Sequence, residues 1–223
     1  DLSESAVVLP PKPEQGDLSA YLSLMGLMGN VTGYPAHAVT VALGNGQIDA
    51  LADKDLLKHE PYHGVKLTAK GRGHALQLVR RHRLWETFLV QRLGFGWDEV
   101  HDVAEQLEHV ADDKLTDRLD DYLGKPGFDP HGDPIPDRKG RIRARKTQRL
   151  SVCQAQDSVR IAAVSETTDG LLRLLDAKGL RIGTQLTVLE VHPFDGSMDI
   201  KPKNGAAFSL SKEVSHHLQV EPA

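Results

Sequence analysis

The chain reads as mainly helical with a smaller β component, arranged as a helix-and-hairpin segment, an all-helical middle and a β-rich end. Three observations predict this. Apolar residues recur at helical spacing, with no proline, from Lys70 to Leu93 and again in two shorter stretches that follow. Two extended runs flank Tyr62-His63-Gly64 just ahead of the long helix, which is a hairpin signature. Beyond Ser151, short runs rich in β-branched residues are separated by Gly, Asp and Pro, as in a small barrel.

Taken in order, residues 1–16, DLSESAVVLPPKPEQG, are Pro-rich, lack the basic and apolar regions of a secretory signal, and read as a flexible arm. Leu18, Tyr21, Leu22, Met25, Leu27 and Met28 predict a helix ending at Gly29-Asn30. A second helical stretch is expected over about Pro35–Leu43 and a third over Gln47–Leu57, followed by the hairpin of KHEPYHGVKLT, Lys58–Thr68. Helices closed by a hairpin outline a winged helix-turn-helix, and equally other small α+β domains. After the long helix, Trp97-Asp98 opens another with Val100, Val103, Ala104, Leu107 and Val110 as its apolar stripe. Asp113–Leu123 follows and stops before Gly124-Lys125-Pro126-Gly127.

FDPHGDPIPD, Phe128–Asp137, holds too much Pro and Gly for a helix or central strand and reads as an ordered loop or a linker. The run from Arg138 to Arg149 is basic, suited to phosphate or to a solvated tether. SVRIAAVSE, TQLTVLEVH, SMDIKP and HHLQVEP supply the strands of the barrel, with a helical insert over Leu171–Ala177 closed by Gly179.

Composition narrows the function classes. The 223 residues carry a formal net charge of −4, with 39% hydrophobic and 26% charged residues. No apolar run approaches the ~18–20 residues of a membrane span, so no membrane association is expected. Cys153 is the single cysteine, which excludes an internal disulfide framework or a thiolate-rich zinc site and fits a reducing, cytoplasmic setting. Contact with nucleic acid would have to come from local basic patches, not from a global field.

The middle segment carries the chemistry. In HDVAEQLEHV, His101, Glu105, Glu108 and His109 fall at i, i+4, i+7 and i+8, sharing one helix face beside the apolar stripe. On the long helix His82 and Glu86 are also four apart, next to Leu84 and Phe88. Carboxylates gathered in a half-buried place repel and lose hydration, and a divalent cation relieves both effects. The other reading is an exposed helix face laced with pairs such as Arg83–Glu86. Imidazole and carboxylate without thiolate suit Mn²⁺ or Fe²⁺, and by raw affinity Zn²⁺ or Co²⁺.

KLTAKGRGHALQLVRRHRLWETFLVQRLG, then WDEVHDVAEQLEHV, then LGKPGFDPHGDPIP resemble, in order and spacing, the diphtheria toxin repressor and manganese transport regulator family of metal-dependent bacterial transcription regulators. The resemblance covers about Glu60 to Pro136, and GLRIGTQLTVLEV is similar to the SH3-like domain of the longer members. It implies a winged helix-turn-helix DNA-binding domain over 17–70, a helical metal-binding and dimerisation domain over 71–137, a basic linker over 138–152 and an SH3-like domain over 153–223. By the same resemblance Glu105, Glu108 and His109 match a regulatory metal site, and His82, Glu86 and His101 an ancillary one. Glu166 and Asp169 have the spacing of two further ancillary ligands from the SH3-like domain. A carboxylate at Glu105, where iron-responsive members carry cysteine, resembles the manganese-responsive members, and the harder oxygen also favours Mn²⁺ over a softer ion. Mn²⁺ is therefore the expected ion, with Fe²⁺ as the alternative and other divalent ions as substitutes in vitro.

The implied partners are operator duplex DNA, read by the stretch beginning at Gln47 and by wing residues His63 and Lys66, and a second copy of the chain. The implied activity is a binding equilibrium, not catalysis. Two departures stand out. Ala20 occupies the position of a family metal ligand, leaving Asp17, water or a backbone carbonyl to complete the site, and ALGNGQIDALADKDLL is shorter than the family's reading head. Two other classes are a metal-binding interaction module without DNA binding and a di-metal helical enzyme. Neither helix of the middle segment supplies the Glu-x-x-His pair of the latter, since Glu105 and His109 are four apart and on the long helix His82 precedes Glu86.

Overall fold

The structure, a computed structural model, describes residues 6–8, 40–42, 53–60, 64–110, 112–165 and 167–223. These fall into two compact units. One comprises the described parts of Asp1–Phe88, Asp102–Gly127 and Ile135–Ile142; the other comprises those of Leu89–His101, Phe128–Pro134 and Arg143–Ala223. Among the described residues no helix is long and apolar enough to cross a membrane.

In the first unit, β1 (Ala6–Val8) and β2 (Thr40–Ala42) pair in parallel, Ala6 opposite Thr40 and Val8 opposite Ala42. This corrects the helix expected over Pro35–Leu43, because the β-branched Thr40 and Val41 favour extended backbone once a partner strand is present. It also places a strand inside the segment read as an arm. The third expected helix ends sooner than Leu57. Of its described residues, 53–57, Asp53 alone is helical, Asp55 takes φ 57°, and Leu57 already starts a strand.

The hairpin forms as expected, β3 (Leu57–Glu60) antiparallel to β4 (Gly64–Leu67). Thr68 then caps α1 (Ala69–Leu93), its hydroxyl accepting the Gly71 N–H at 2.9 Å and donating to the Asp55 carbonyl at 2.7 Å. A Cβ at Gly71 would overlap the Leu56 carbonyl, so only glycine lets the helix start this close to the turn.

Ala75, Leu78, Val79 and Leu84 form the buried stripe of α1. α2 (Val100–Glu108) follows, then α3 (Asp113–Tyr122), capped by Asp112, whose carboxylate accepts the Leu115 N–H at 2.7 Å. Leu84, Leu119 and Ile135 make the apolar centre of this unit, with Trp85, Phe88 and Leu123 against it. Beside them buried Arg80 reaches Asp120 at 2.7 Å and Asp117 at 3.2 Å.

The second unit is built on a six-stranded sheet. β5 (Gln148–Arg149), β6 (Ser158–Val164), β7 (Gln185–Val191), β8 (Met198–Pro202), β9 (Phe208–Leu210) and β10 (Leu218–Pro222) take the order β5-β10-β6-β7-β8-β9, all antiparallel. α4 (Asp169–Ala177) and α5 (Lys212–His217) cover it, α4 closing at Gly179 with φ 68°. The core runs from Leu150 through Ile161, Leu172, Val188 and Ile200 to Val220.

Of the two readings of the Pro- and Gly-rich segment, loop or linker, its hydrogen bonds make it a fixed loop. Asp129 Oδ1 accepts the N–H groups of His131 at 2.8 Å and Asp133 at 3.0 Å, and His131 accepts from the Val164 N–H at 3.0 Å. Gly132 sits at φ 92°, where a Cβ would overlap the Ala162 carbonyl.

Candidate metal centre

The geometry converges on His82. One turn along α1, Glu86 Oε1 accepts from His82 Nε2 at 3.0 Å, and from the end of α2 Glu108 Oε2 accepts from Nδ1 at 2.8 Å. Both carboxylates are buried, Glu86 at 3% exposure and Glu108 at 0%. Arg81, beside His82, donates from Nε to the Glu108 carbonyl at 3.0 Å, placing a cation at the negative end of α2.

An imidazole that donates from both nitrogens is an imidazolium. Burial pushes the His82 pKa down, but the Glu86 charge and the hydrogen bonds that the ring donates to Glu108 and Glu86 outweigh it and raise the value from 6.5 to about 10. At neutral pH the group is therefore a proton held between two buried carboxylates. A divalent ion would take the place of the proton on one ring nitrogen, with the carboxylate on that side as co-ligand and the other still accepting from the ring. Two carboxylates and an imidazole without thiolate are the donors preferred by Mn²⁺ and Fe²⁺, so the residues present fit such an ion.

The sequence placed His82 and Glu108 in different ligand sets; the structure joins them through one hydrogen bond. No spacing rule anticipates a pairing of residues 26 apart on different helices. Glu105 lies one turn before Glu108 on α2, half-buried. His101 sits exposed in the first turn of that helix. His109 departs from expectation: α2 stops at Glu108, so His109 belongs to the following turn, exposed, instead of extending the helix face. The turn is closed by the Val110 N–H donating to the Leu107 carbonyl at 3.1 Å.

Asp169 opens α4, exposed and paired with Arg173 at 3.2 Å, which in turn holds Asp98 at 3.0 Å. Gln47, His63 and Glu166 lie outside the described residues, as do Asp17 and Ala20 and the side chain of Lys66.

Comparison with known proteins agrees with this reading of the molecule. Residues 68–137 match the iron dependent repressor, metal binding and dimerisation domain, and residues 148–222 match the FeoA domain. A probable metal transport system membrane protein of Chlamydia trachomatis is 49% identical over 76 residues, 34% of this chain and 17% of that protein, so the chain spans less than a fifth of that relative's length. The diphtheria toxin repressor of Corynebacterium jeikeium is 28% identical over 190 residues, 75% of this chain and 78% of that one. A solved manganese-dependent transcriptional repressor in complex with manganese superposes with a TM-score of 0.74 at 33% identity, covering 92% of this chain and 99% of that one. With a metal-binding helical domain, a FeoA domain and that degree of shared length, the chain belongs to the diphtheria toxin repressor family of metal-dependent transcriptional repressors.

Proposed function

We propose that the chain is a metal-responsive, DNA-binding transcription regulator of metal-ion homeostasis, acting in the cytoplasm as a homodimer and loaded with Mn²⁺ or, as the alternative, Fe²⁺. The observation that carries the reading is the pair of buried carboxylates on the two nitrogens of His82. Glu105, Glu108 and His109 would hold the regulatory ion; His82, Glu86 and His101, with Glu166 and Asp169, the ancillary one. The bound ion supplies positive charge that ties carboxylates and imidazoles of successive helices together.

The chain's own residues supply the coupling. His82 would give up one ring proton to hold the ancillary ion with Glu86, while Glu108 would hold the regulatory ion and keep its hydrogen bond to the other ring nitrogen. The turn of α1 that carries His82 and the end of α2 would thereby be tied to each other. Residues 17–70, as a winged helix-turn-helix with Gln47, His63 and Lys66 facing DNA, would be presented at a separation suited to successive major grooves, about 34 Å. Moving operator occupancy from mostly free to mostly bound takes on the order of 5 kcal/mol of differential affinity, and the coupling is reciprocal. Operator DNA should tighten Mn²⁺ binding by the factor by which Mn²⁺ tightens DNA binding.

A second reading has its own support. The Chlamydia relative is named as part of a metal transport system and matches over 76 residues, which favours a metal-binding interaction module that senses the ion without contacting DNA. Anisotropy titration against duplexes selected from random sequence in the presence of Mn²⁺ separates the two. Metal-dependent enrichment of a defined site supports the regulator; equal affinity with Mn²⁺ and with chelator rejects it.

A further inference from the structure

A second gathering of ligand-type side chains lies on the β sheet and shares no residue with the helical centre. Glu190 and His192 are two apart at the end of β7, and Asp199 on β8 stands directly opposite Glu190. The neighbouring pair, Val191 and Met198, includes a fully buried Met198, so the Glu190–Asp199 row faces away from the core. Like charges directly opposed across an antiparallel pair repel, and this pair is met by an imidazole. His192 Nε2 lies 3.4 Å from Asp199 Oδ2, and its Nδ1 lies 3.9 Å from Glu190 Oε1.

The surroundings hold these groups in place. The Ser209 hydroxyl on β9 donates to Asp199 Oδ1, which orients the carboxylate and leaves Oδ2 for His192. The His192 N–H donates to the Ser197 carbonyl at 2.8 Å, fixing the backbone from which the ring projects. One ligand atom from each of Glu190, His192 and Asp199 lies within 4.8 Å of the other two. Metal–ligand bonds of about 2.0–2.2 Å bring adjacent donors to about 3 Å, a contraction that the exposed Glu190 side chain can supply by rotation.

We propose that Glu190, His192 and Asp199 form a site for a first-row divalent transition cation on the FeoA-type domain. One imidazole with two carboxylates selects Zn²⁺, Co²⁺ or Mn²⁺ over Ca²⁺ and Mg²⁺, and the solvent-facing position leaves the remaining coordination to water.

The test is a Mn²⁺ titration of the ¹⁵N-labelled full chain, followed by paramagnetic broadening of backbone amides. Amides of residues 190–199 are expected to broaden at Mn²⁺ concentrations that leave those of the exposed carboxylates Asp53 and Asp55, ahead of the start of α1, sharp. His192→Ala and Asp199→Asn should each raise the midpoint at 190–199 by at least about tenfold, with the sheet's other resonances unmoved as evidence of folding. Unchanged midpoints in both variants, or broadening at 190–199 no greater than at Asp53 and Asp55, would overturn the proposal. Broadening around Glu108 reports the helical centre separately, so either site can fail without the other.

Discussion

The two units solve the problem of an interior in opposite ways. The sheet unit buries an apolar cluster that includes Leu150, Ile161, Leu175, Val188, Ile200 and Leu218, all at 1% exposure or less. The helical unit gathers Leu84, Leu119 and Ile135 and sets buried Arg80, Arg83, Glu86 and Glu108 around them. Buried charge is a poor source of stability, since desolvation offsets most of the attraction. Among the described residues it surrounds the apolar centre of the helical unit, whereas in the sheet unit it is confined to Asp129, His131 and Asp133 of the loop and stays out of the apolar cluster, so the sheet unit carries the larger share of folding stability.

That contrast is open to direct attack. The largest effect should come from Ile200→Ala in the sheet core, costing about 2–5 kcal/mol of unfolding free energy in urea titration while leaving Mn²⁺ affinity at the helical centre unchanged. A parallel loss of metal affinity would erase the division of labour. Next, Glu108→Gln keeps the size and one hydrogen bond but removes a charge from the ligand set. Mn²⁺ affinity by calorimetry should fall by about a hundredfold, near 2.7 kcal/mol, with little change in the sheet's urea midpoint.

The smallest effect is a pH dependence, and its sign is fixed by His82. Its pKa is raised from 6.5 to about 10 by folding, mainly because the Glu86 charge and the Glu108 and Glu86 hydrogen bonds overcome burial. A raised pKa contributes stability that is complete below the unfolded value and lost as pH climbs through the folded one. In chelator, the melting temperature of the helical unit should decline between pH 6.5 and 10. Mn²⁺ affinity should rise over the same interval as the competing proton leaves, with release of about one proton per ion near neutrality. A melting temperature that climbs with pH would show that His82 is neutral in the folded chain.

Periodicity made much of this legible. The unbroken helical spacing from Lys70 to Leu93 gave the α1 bounds to within a residue, and the β-branched runs gave β6, β7, β8 and β10. The His82–Glu86 contact follows from i, i+4 geometry alone. The His82–Glu108 contact does not, because it depends on how α1 and α2 pack. Local signals also misled where tertiary partners decide the outcome: Thr40–Ala42 is a strand because Ala6–Val8 pairs with it, and His109 leaves the helix because α2 ends one residue earlier. The Glu190–His192–Asp199 group is not legible in the sequence, because the alternation that puts Glu190 and His192 on one face is an ordinary strand signal and Asp199 joins them only through the β7–β8 register.

The chain's two tryptophans are divided between the units. Trp85 adjoins Glu86 and lies against the helical apolar centre, while Trp97 is packed in the sheet core, its ring stacked on His131 at 6.2 Å. Each half of the molecule thus carries its own intrinsic fluorophore. With Trp97 replaced by Phe, emission from Trp85 alone becomes an optical gauge of ion loading in the helices; with Trp85 replaced instead, Trp97 follows the melting of the sheet.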